Sequence, residues 1–332
     1  MKKSYTIAVV GATGLVGRKM LEVMQERGLA VDNLYPFASA RSAGKVIRYD
    51  NRDFTVLELT EENVKKHSYD FAVFSAGGET SGTFAPIFAK TGCVVVDNSS
   101  RWRMDNSVPL VVPEVNADAL AGHNNIIANP NCSTIQAVAV LGPLHKKYGI
   151  SRIVYSTYQA VSGAGIAGCE DLENGAKGLP PKKFTRPIYA NLIPQIDVFL
   201  ENGYTKEEEK MILETRKILA DEGLRITATT VRVPVFNGHS ESVNIEFKKP
   251  VTLQGVLETL KAAKGVVVKE NPADFPTPLD CSGRDEVFVG RVRLDSSVKS
   301  GVNLWIVADN IRKGAATNTV QIVEELIRRS GT

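Results

Sequence analysis

The chain has 332 residues, room for two domains at roughly 150 residues each, and its 43% apolar and 23% charged side chains exclude a disordered or low-complexity polymer. Its 40 basic and 37 acidic residues leave a net charge of +3, and no Lys/Arg run is longer than two, which speaks against nucleic acid or an anionic membrane as partner. No apolar run approaches the ~20 residues of a bilayer span.

Residues 1–17 combine Met1-Lys2-Lys3 with an apolar stretch and could pass for a secretory leader, with Ala38-Ser39-Ala40 as a cleavage-like triplet. Three glycines interrupt that stretch, and the charged segment 18–27 separates it from the triplet, so a strand, a glycine turn and an amphipathic helix explain the residues better. Strands are expected at 5–10, 33–38, 71–75, 94–96 and 126–128, with a helix over 15–26. Short apolar strands alternating with helices predict a parallel sheet of Rossmann type.

After residue 129 the periodicity moves towards two. Strands are expected at 153–161, 226–235, 243–247 (after the turn signal Asn237-Gly238), 287–294 and 302–308. They predict an α+β domain with a mixed, largely antiparallel sheet. A helix over 315–329 returns to the first domain, so the expected division is 1–129 with 314–332 against 130–313.

Gly11-Ala12-Thr13-Gly14-Leu15-Val16-Gly17 lies between the first strand and the first helix, where backbone amides can receive a pyrophosphate. The spacing is G-x-x-G-x-x-G, which a ligand-free turn also permits. At the end of the second strand an NAD site usually carries Asp or Glu. Here the residues are Ser39, Arg41 and Ser42, with Lys45 nearby, a set suited to a 2′-phosphate; NADP is the expected cofactor.

Cys93, Cys132, Cys169 and Cys281 form no C-x-x-C pair and no disulfide framework, as expected of a reducing, cytoplasmic setting. No His/Cys/carboxylate spacing suits a metal. Only Cys132 has a special place, in Asn129-Pro130-Asn131-Cys132-Ser133-Thr134, after a strand and before a helix at 135–148. With Asn131 as N-cap, Cys132 enters the first turn, where the dipole and first-turn amides favour a thiolate and can serve an oxyanion. An inert core cysteine is the competing reading. Among four histidines, His239 stands just before a strand, either facing a cleft or serving as a structural histidine.

The glycine loop, Asp97-Asn98-Ser99-Ser100-Arg101, the Asn129–Thr134 signature, Gln159 with Ser162-Gly163-Ala164-Gly165, Glu207/Lys210, and Arg232 with His239 seven residues later together resemble the aspartate-semialdehyde dehydrogenases. The resemblance runs, in order, through essentially the whole chain. It implies reversible, NADP-dependent, phosphorylating oxidation of L-aspartate 4-semialdehyde to L-4-aspartyl phosphate, run in biosynthesis as the reduction towards lysine, threonine, methionine and diaminopimelate. It also implies a homodimer.

By the same resemblance Cys132 is the nucleophile that passes through a thioester, His239 the acid/base with a near-neutral pKa, and Gln159 an orienting group at the substrate. Arg232 is implied to hold the substrate carboxylate and Glu207 its ammonium; Arg101, Lys210 and Asn131 are implied to hold phosphate. Gly11, Thr13, Gly14, Leu15, Val16, Ser39, Arg41, Ser42, Ser162, Gly163 and Asn310 are implied at the cofactor. Read without the resemblance, Thr205 and Glu208 make a capping box and Glu207/Lys210 an exposed ion pair. The alternatives are an N-acetyl-glutamyl-phosphate reductase, a glyceraldehyde-3-phosphate dehydrogenase (disfavoured by the missing acid), and a non-catalytic nucleotide-binding paralogue.

Overall fold

The computed structural model describes residues 4–331, and the chain divides into two compact units, Met1–Pro130 with Ala315–Thr332, and Asn131–Gly314. Among the described residues no helix is long and apolar enough to cross a membrane.

The first unit contains strands β1 (Tyr5–Val10), β2 (Val31–Ala38), β3 (Val46–Tyr49), β4 (Arg52–Thr55), β5 (Leu57–Glu58), β6 (Phe71–Phe74), β7 (Val94–Asp97) and β8 (Ile126–Ala128). Six of them form one parallel sheet in the order β5-β2-β1-β6-β7-β8, while β3 and β4 make a separate antiparallel pair. Ile7, Val9, Phe71, Val73, Val96 and Ile127 pack with Met20, Val23 and Met24 of the Leu15–Glu26 helix, and with Val320 and Val323 of the Thr317–Ser330 helix. Burying such side chains is worth about 1.5–3 kcal/mol each, which explains the near-continuous apolar runs of these strands. The last helix is fixed by polar contacts as well. Asn318 Nδ2 donates to Val111 O (3.0 Å) and Asn129 Oδ1 (2.7 Å), and Arg27 makes a two-pronged pair with Glu324 at 2.9 and 2.7 Å.

The second unit holds β9 (Ile150–Gln159), β10 (Arg225–Arg232), β11 (His239–Phe247), β12 (Val266–Val268), β13 (Val287–Leu294) and β14 (Gly301–Ala308), in the order β10-β9-β11-β14-β13-β12. The two outer pairs are parallel and the inner pairs antiparallel, so the sheet is mixed. Tyr155, Val243, Leu304 and Ile306 on one face pack with Val140, Leu141 and Leu144 of the Cys132–Tyr148 helix and Met211 of the Lys206–Leu219 helix.

Several details depart from the sequence reading. The Asn237-Gly238 turn does not pair the strands on either side of it: β9 lies between β10 and β11. Strand β11 begins at His239, four residues before the expected 243, and β2 begins at Val31 rather than 33. The β3–β4 pair, β5 and β12 were not expected. They are two to four residues long, too short for a periodic signal, and β3–β4 carries the polar Arg48, Arg52 and Asp53.

Candidate active site

The glycine loop in the first unit is shaped by close backbone approach. Gly11 has φ +83°, and a Cβ there would lie 2.3 Å from the Ser75 carbonyl oxygen; at Gly17 it would lie 2.2 Å from Gly11 O. The Gly11 and Ala12 amides both donate to Phe37 O (2.8 and 3.1 Å), which fixes the loop against the end of β2. Leu15 and Val16 open the helix behind Gly14, which offers no side-chain cap, so the first-turn amides are not claimed by one. Thr13, Arg18, Lys45 and Arg48 line a cleft of about 450 Å³ beside this loop. Beyond β2, Ser39 and Arg41 are exposed and Ser42 is buried. Arg101, also in this unit, is exposed, lies over the Trp102 ring (5.2 Å), and crowds Gly82, where a Cβ would meet its Nε at 3.0 Å.

In the second unit Cys132 is the first residue of its helix and is half-buried. Asn131 caps the helix, Oδ1 accepting from Ser133 N (3.0 Å) and Thr134 N (3.4 Å), while its own N–H donates to Glu214 Oε2 at 2.6 Å. Those two first-turn amides are therefore committed to the cap and are not the oxyanion donors expected from sequence. Gly314 keeps space clear beside the thiol: a Cβ there would lie 2.9 Å from Cys132 Cβ. The remaining thiols are in poor settings for ionisation. Burial pushes Cys93 far up, Cys281 up to about 12, and Cys169 up with help from Glu173 and Glu170.

Asn131 Nδ2 reaches a buried carboxylate, Glu207 Oε1, at 2.9 Å, and Gln159 Nε2 donates to the same oxygen at 3.1 Å. Lys210 Nζ donates to Glu207 Oε2 (3.1 Å) and to Asp197 Oδ2 (2.8 Å). Thr205 and Glu208 do form a capping box, but Glu207 is only 5% exposed, so the pair it makes with Lys210 is not the solvent-exposed contact of the simpler reading. Burial alone raises a carboxylate's pKa; here Lys210, Asn131, Gln159 and Arg232 outweigh it and hold Glu207 down at about 2. Lys210 feels the converse: burial lowers its pKa, Glu207 and Asp197 more than restore it, and it stays charged.

Arg232 ends β10, buried, with Nη1 donating to Ala160 O at 2.7 Å and Phe184 5.8 Å from its guanidinium carbon. Burial lowers its pKa, while the charges of Glu207 and the Cys132 sulfur oppose the shift. Ala160 contributes a second contact: its N–H donates to His239 Nδ1 at 3.0 Å. An accepting Nδ1 puts the proton of a neutral ring on Nε2, and that atom is buried without a partner. Burial first, then Arg232, takes the His239 pKa down to about 3, below the near-neutral value expected from sequence, which favours the neutral ring. Gly163 closes over this edge, where a Cβ would come within 2.9 Å of Arg232 Nη1 and 3.2 Å of His239 Nε2. Asn310 steadies the surrounding loops, its Nδ2 donating to Ser162 Oγ (3.0 Å) and its Oδ1 accepting from Gly238 N (2.9 Å).

The second unit thus brings together Cys132, Asn131, Gln159, Glu207, Lys210, Arg232 and His239, with Ser162, Gly163 and Asn310 beside the histidine. Arg101, Arg41, Ser39, Ser42 and the glycine loop belong to the first unit. Sequence reasoning missed Asp197, which sits in a loop at φ +70°, Glu214, and the two main-chain groups of Ala160. Only Gly314 had a signal of its own, as a lone glycine between Lys313 and Ala315.

The profile of the semialdehyde dehydrogenase NAD binding domain matches residues 6–123, and that of the semialdehyde dehydrogenase dimerisation domain matches 141–313. An aspartate-semialdehyde dehydrogenase of Aquifex aeolicus is 53% identical, with 98% of each chain covered, and one of Bacillus subtilis is 45% identical, again covering 98% of each. Among solved structures, aspartate semialdehyde dehydrogenase II of Vibrio cholerae complexed with ASA superposes with a TM-score of 0.95 at 48% identity, covering 98% of this chain and 99% of that one. The Candida albicans enzyme with NADP gives 0.76 at 26% identity, covering 97% and 98%. Profiles, identities and fold agree over nearly the whole length. The chain belongs to the aspartate-semialdehyde dehydrogenase family, oxidoreductases with a nicotinamide-nucleotide-binding domain.

Proposed function

We propose that this chain catalyses the reversible, NADP-dependent, phosphorylating oxidation of L-aspartate 4-semialdehyde to L-4-aspartyl phosphate, with Cys132 as nucleophile. The observation that carries the reading is the arrangement around Cys132: a half-buried thiol at a capped helix start, in the unit that also holds the buried Arg232 guanidinium and the unpartnered edge of His239.

Cys132 Sγ adds to the aldehyde carbon, and the carbonyl electron pair moves onto oxygen. A bound nicotinamide supplies the hydride acceptor for that carbon. The resulting thioester is opened by a phosphate oxygen, which expels the Cys132 thiolate and restores the starting state. In this sequence the oxyanion need not gain a proton, because it collapses directly. His239 therefore acts as a neutral Nε2–H donor to that oxygen, which suits a ring whose Nδ1 is occupied by the Ala160 N–H.

Arg232 holds the substrate carboxylate with the guanidinium edge not used on Ala160 O, a fork that lysine cannot reproduce. Glu207 Oε2 accepts only from Lys210 and retains acceptor capacity for the substrate ammonium, which favours a free amino acid over an acetylated one. Gln159 orients Glu207. Lys210 has a third N–H for phosphate after serving Glu207 and Asp197, the exposed Arg101 is a second cation for it, and Asn131, with one Nδ2 hydrogen on Glu207, offers the other. For the cofactor, Gly11, Thr13, Gly14, Leu15 and Val16 form the phosphate loop, and Ser39, Arg41 and Ser42 receive the 2′-phosphate that selects NADP; Ser162, Gly163 and Asn310 serve the nicotinamide end.

The chain works as a homodimer. The matching dimerisation profile supports this, as do the exposed Leu179, Tyr189, Leu192, Val198 and Phe199 of the second unit, each more than half accessible. Four free thiols fit a reducing cytoplasm. The test is a spectrophotometric assay with semialdehyde and phosphate: phosphate-dependent NADPH formation, faster than with NAD⁺, is expected. Turnover that ignores phosphate would remove the phosphorylating step from the account.

A further inference from the structure

Glu241 lies two residues after His239 on β11, on the same face of the strand, opposite Thr157 of β9 and Ile306 of β14. It is fully buried, and neither carboxylate oxygen has a hydrogen-bond partner. No cation among the described residues pairs with it. The groups acting on it are few: the Gln136 amide from the Cys132–Tyr148 helix, whose N–H favours the ionised form but is outweighed by burial, and the Tyr155 hydroxyl from β9, while β14 presents the apolar Ile306. His239 shares its strand but is neutral. An ionised carboxylate in this place has no compensating charge, and burial drives its pKa well above the ordinary range.

Gln136 is one helical turn beyond Cys132 and is also fully buried. Its Nε2 donates to the His239 main-chain oxygen at 3.3 Å, and its Oε1 is unpartnered. With the nitrogen committed to His239, the amide oxygen lacks a donor, and Glu241 in its acid form carries an unused one.

We propose that Glu241 is a positioning residue held as the neutral acid, its O–H donating to Gln136 Oε1 so that Gln136 Nε2 stays on the His239 carbonyl and ties the strand carrying His239 to the helix carrying Cys132. Ionised, Glu241 would instead draw the amide N–H to itself and release His239. The proposal rests on the reading of His239 as the donor to the oxyanion, and its test separates the two.

Glu241→Gln supplies a neutral N–H in place of the O–H and keeps kcat within about twofold, whereas Glu241→Leu lowers kcat about tenfold with little change in KM. Gln136→Leu does the same, and Glu241→Leu adds nothing to it. In wild type kcat falls on the alkaline side as Glu241 ionises, and Glu241→Gln lacks that limb. Two readouts need no activity. An infrared band of a protonated carboxyl at neutral pH disappears in Glu241→Gln. In addition, wild-type stability falls as pH rises above the unfolded value of about 4.5, because only the unfolded chain releases this proton, and Glu241→Gln loses that slope. Glu241→Gln as slow as Glu241→Leu, no protonated-carboxyl band, or Glu241→Leu with wild-type kcat would each overturn the proposal. An active His239→Asn protein would overturn the reading of His239 instead.

Discussion

The molecule contains two strand-to-helix junctions that look alike in sequence and are used in opposite ways. At Gly11–Gly17 the helix begins behind a glycine with no side-chain cap, and Arg18, Lys45 and Arg48 line the cleft beside the loop. At Asn129–Thr134 the helix is capped by Asn131, whose amide and backbone are themselves held by Glu207 and Glu214. The first junction leaves its donors for a ligand. The second commits them to one another around Cys132, and leaves open one edge of Arg232 and one nitrogen of His239. A binding loop can wait for its ligand to complete it, whereas a nucleophile has to be held in place beforehand.

On that contrast, damage at the second junction costs far more than damage at the first. The largest effect is expected for Cys132→Ser, a loss in kcat of about 10⁴-fold or more with NADP binding retained. Steady-state kinetics beside a cofactor titration check this, while Cys93→Ser and Cys169→Ser should turn over normally.

Next is His239→Asn, with a loss of about 10²–10³-fold, the size associated with a lost oxyanion donor. Because the folded pKa of about 3 lies below the ordinary value of 6.5, the neutral ring is the form present from about pH 5 to 8. The wild-type kcat profile should therefore carry no histidine inflection there. An inflection near 6.5 that vanishes in His239→Asn would mean that the burial of the ring beside Arg232 does not hold in solution.

Arg232→Lys keeps charge and loses the fork, so a drop of about 10- to 100-fold in kcat/KM for the semialdehyde is expected, with the phosphate KM little changed. Lys210→Met should reverse that pattern. If titration shows the two variants exchanging effects, the anion assignments are the wrong way round. The smallest effect belongs to the first junction. Arg41→Ala should weaken NADP about tenfold and leave NAD unchanged, as measured by fluorescence titration, because only NADP carries the 2′-phosphate.

How much of this was legible depends on the range of the interactions. The apolar runs of β1, β6, β7 and β8 and the Asn131 cap ahead of Cys132 are local patterns, and the strands and the helix start are where those patterns put them. The same local reading gave the capping box of Thr205 and Glu208 but made the neighbouring Glu207 an exposed partner of Lys210. Its burial comes from Asn131 and Gln159, 76 and 48 residues away in the chain. His239 looked like a near-neutral base for the same reason. Its charge state follows from burial first and then Arg232, which meets it only once β9 has inserted between β10 and β11, and its tautomer from the Ala160 amide, 79 residues away. Asp197, in an irregular loop, offers no periodicity to read, and the contribution of Ala160 is made by main-chain atoms.

The central claim is that Cys132 carries the substrate as a thioester. Enzyme mixed with NADP⁺ and semialdehyde in the absence of phosphate should give a stoichiometric burst of NADPH and then stop. Rapid acid quench, digestion and mass spectrometry should find the aspartyl group on the peptide that contains Cys132, and added phosphate should release it. Steady NADPH formation without phosphate, or an acyl group on Cys93, Cys169, Cys281 or no cysteine at all, would contradict the account.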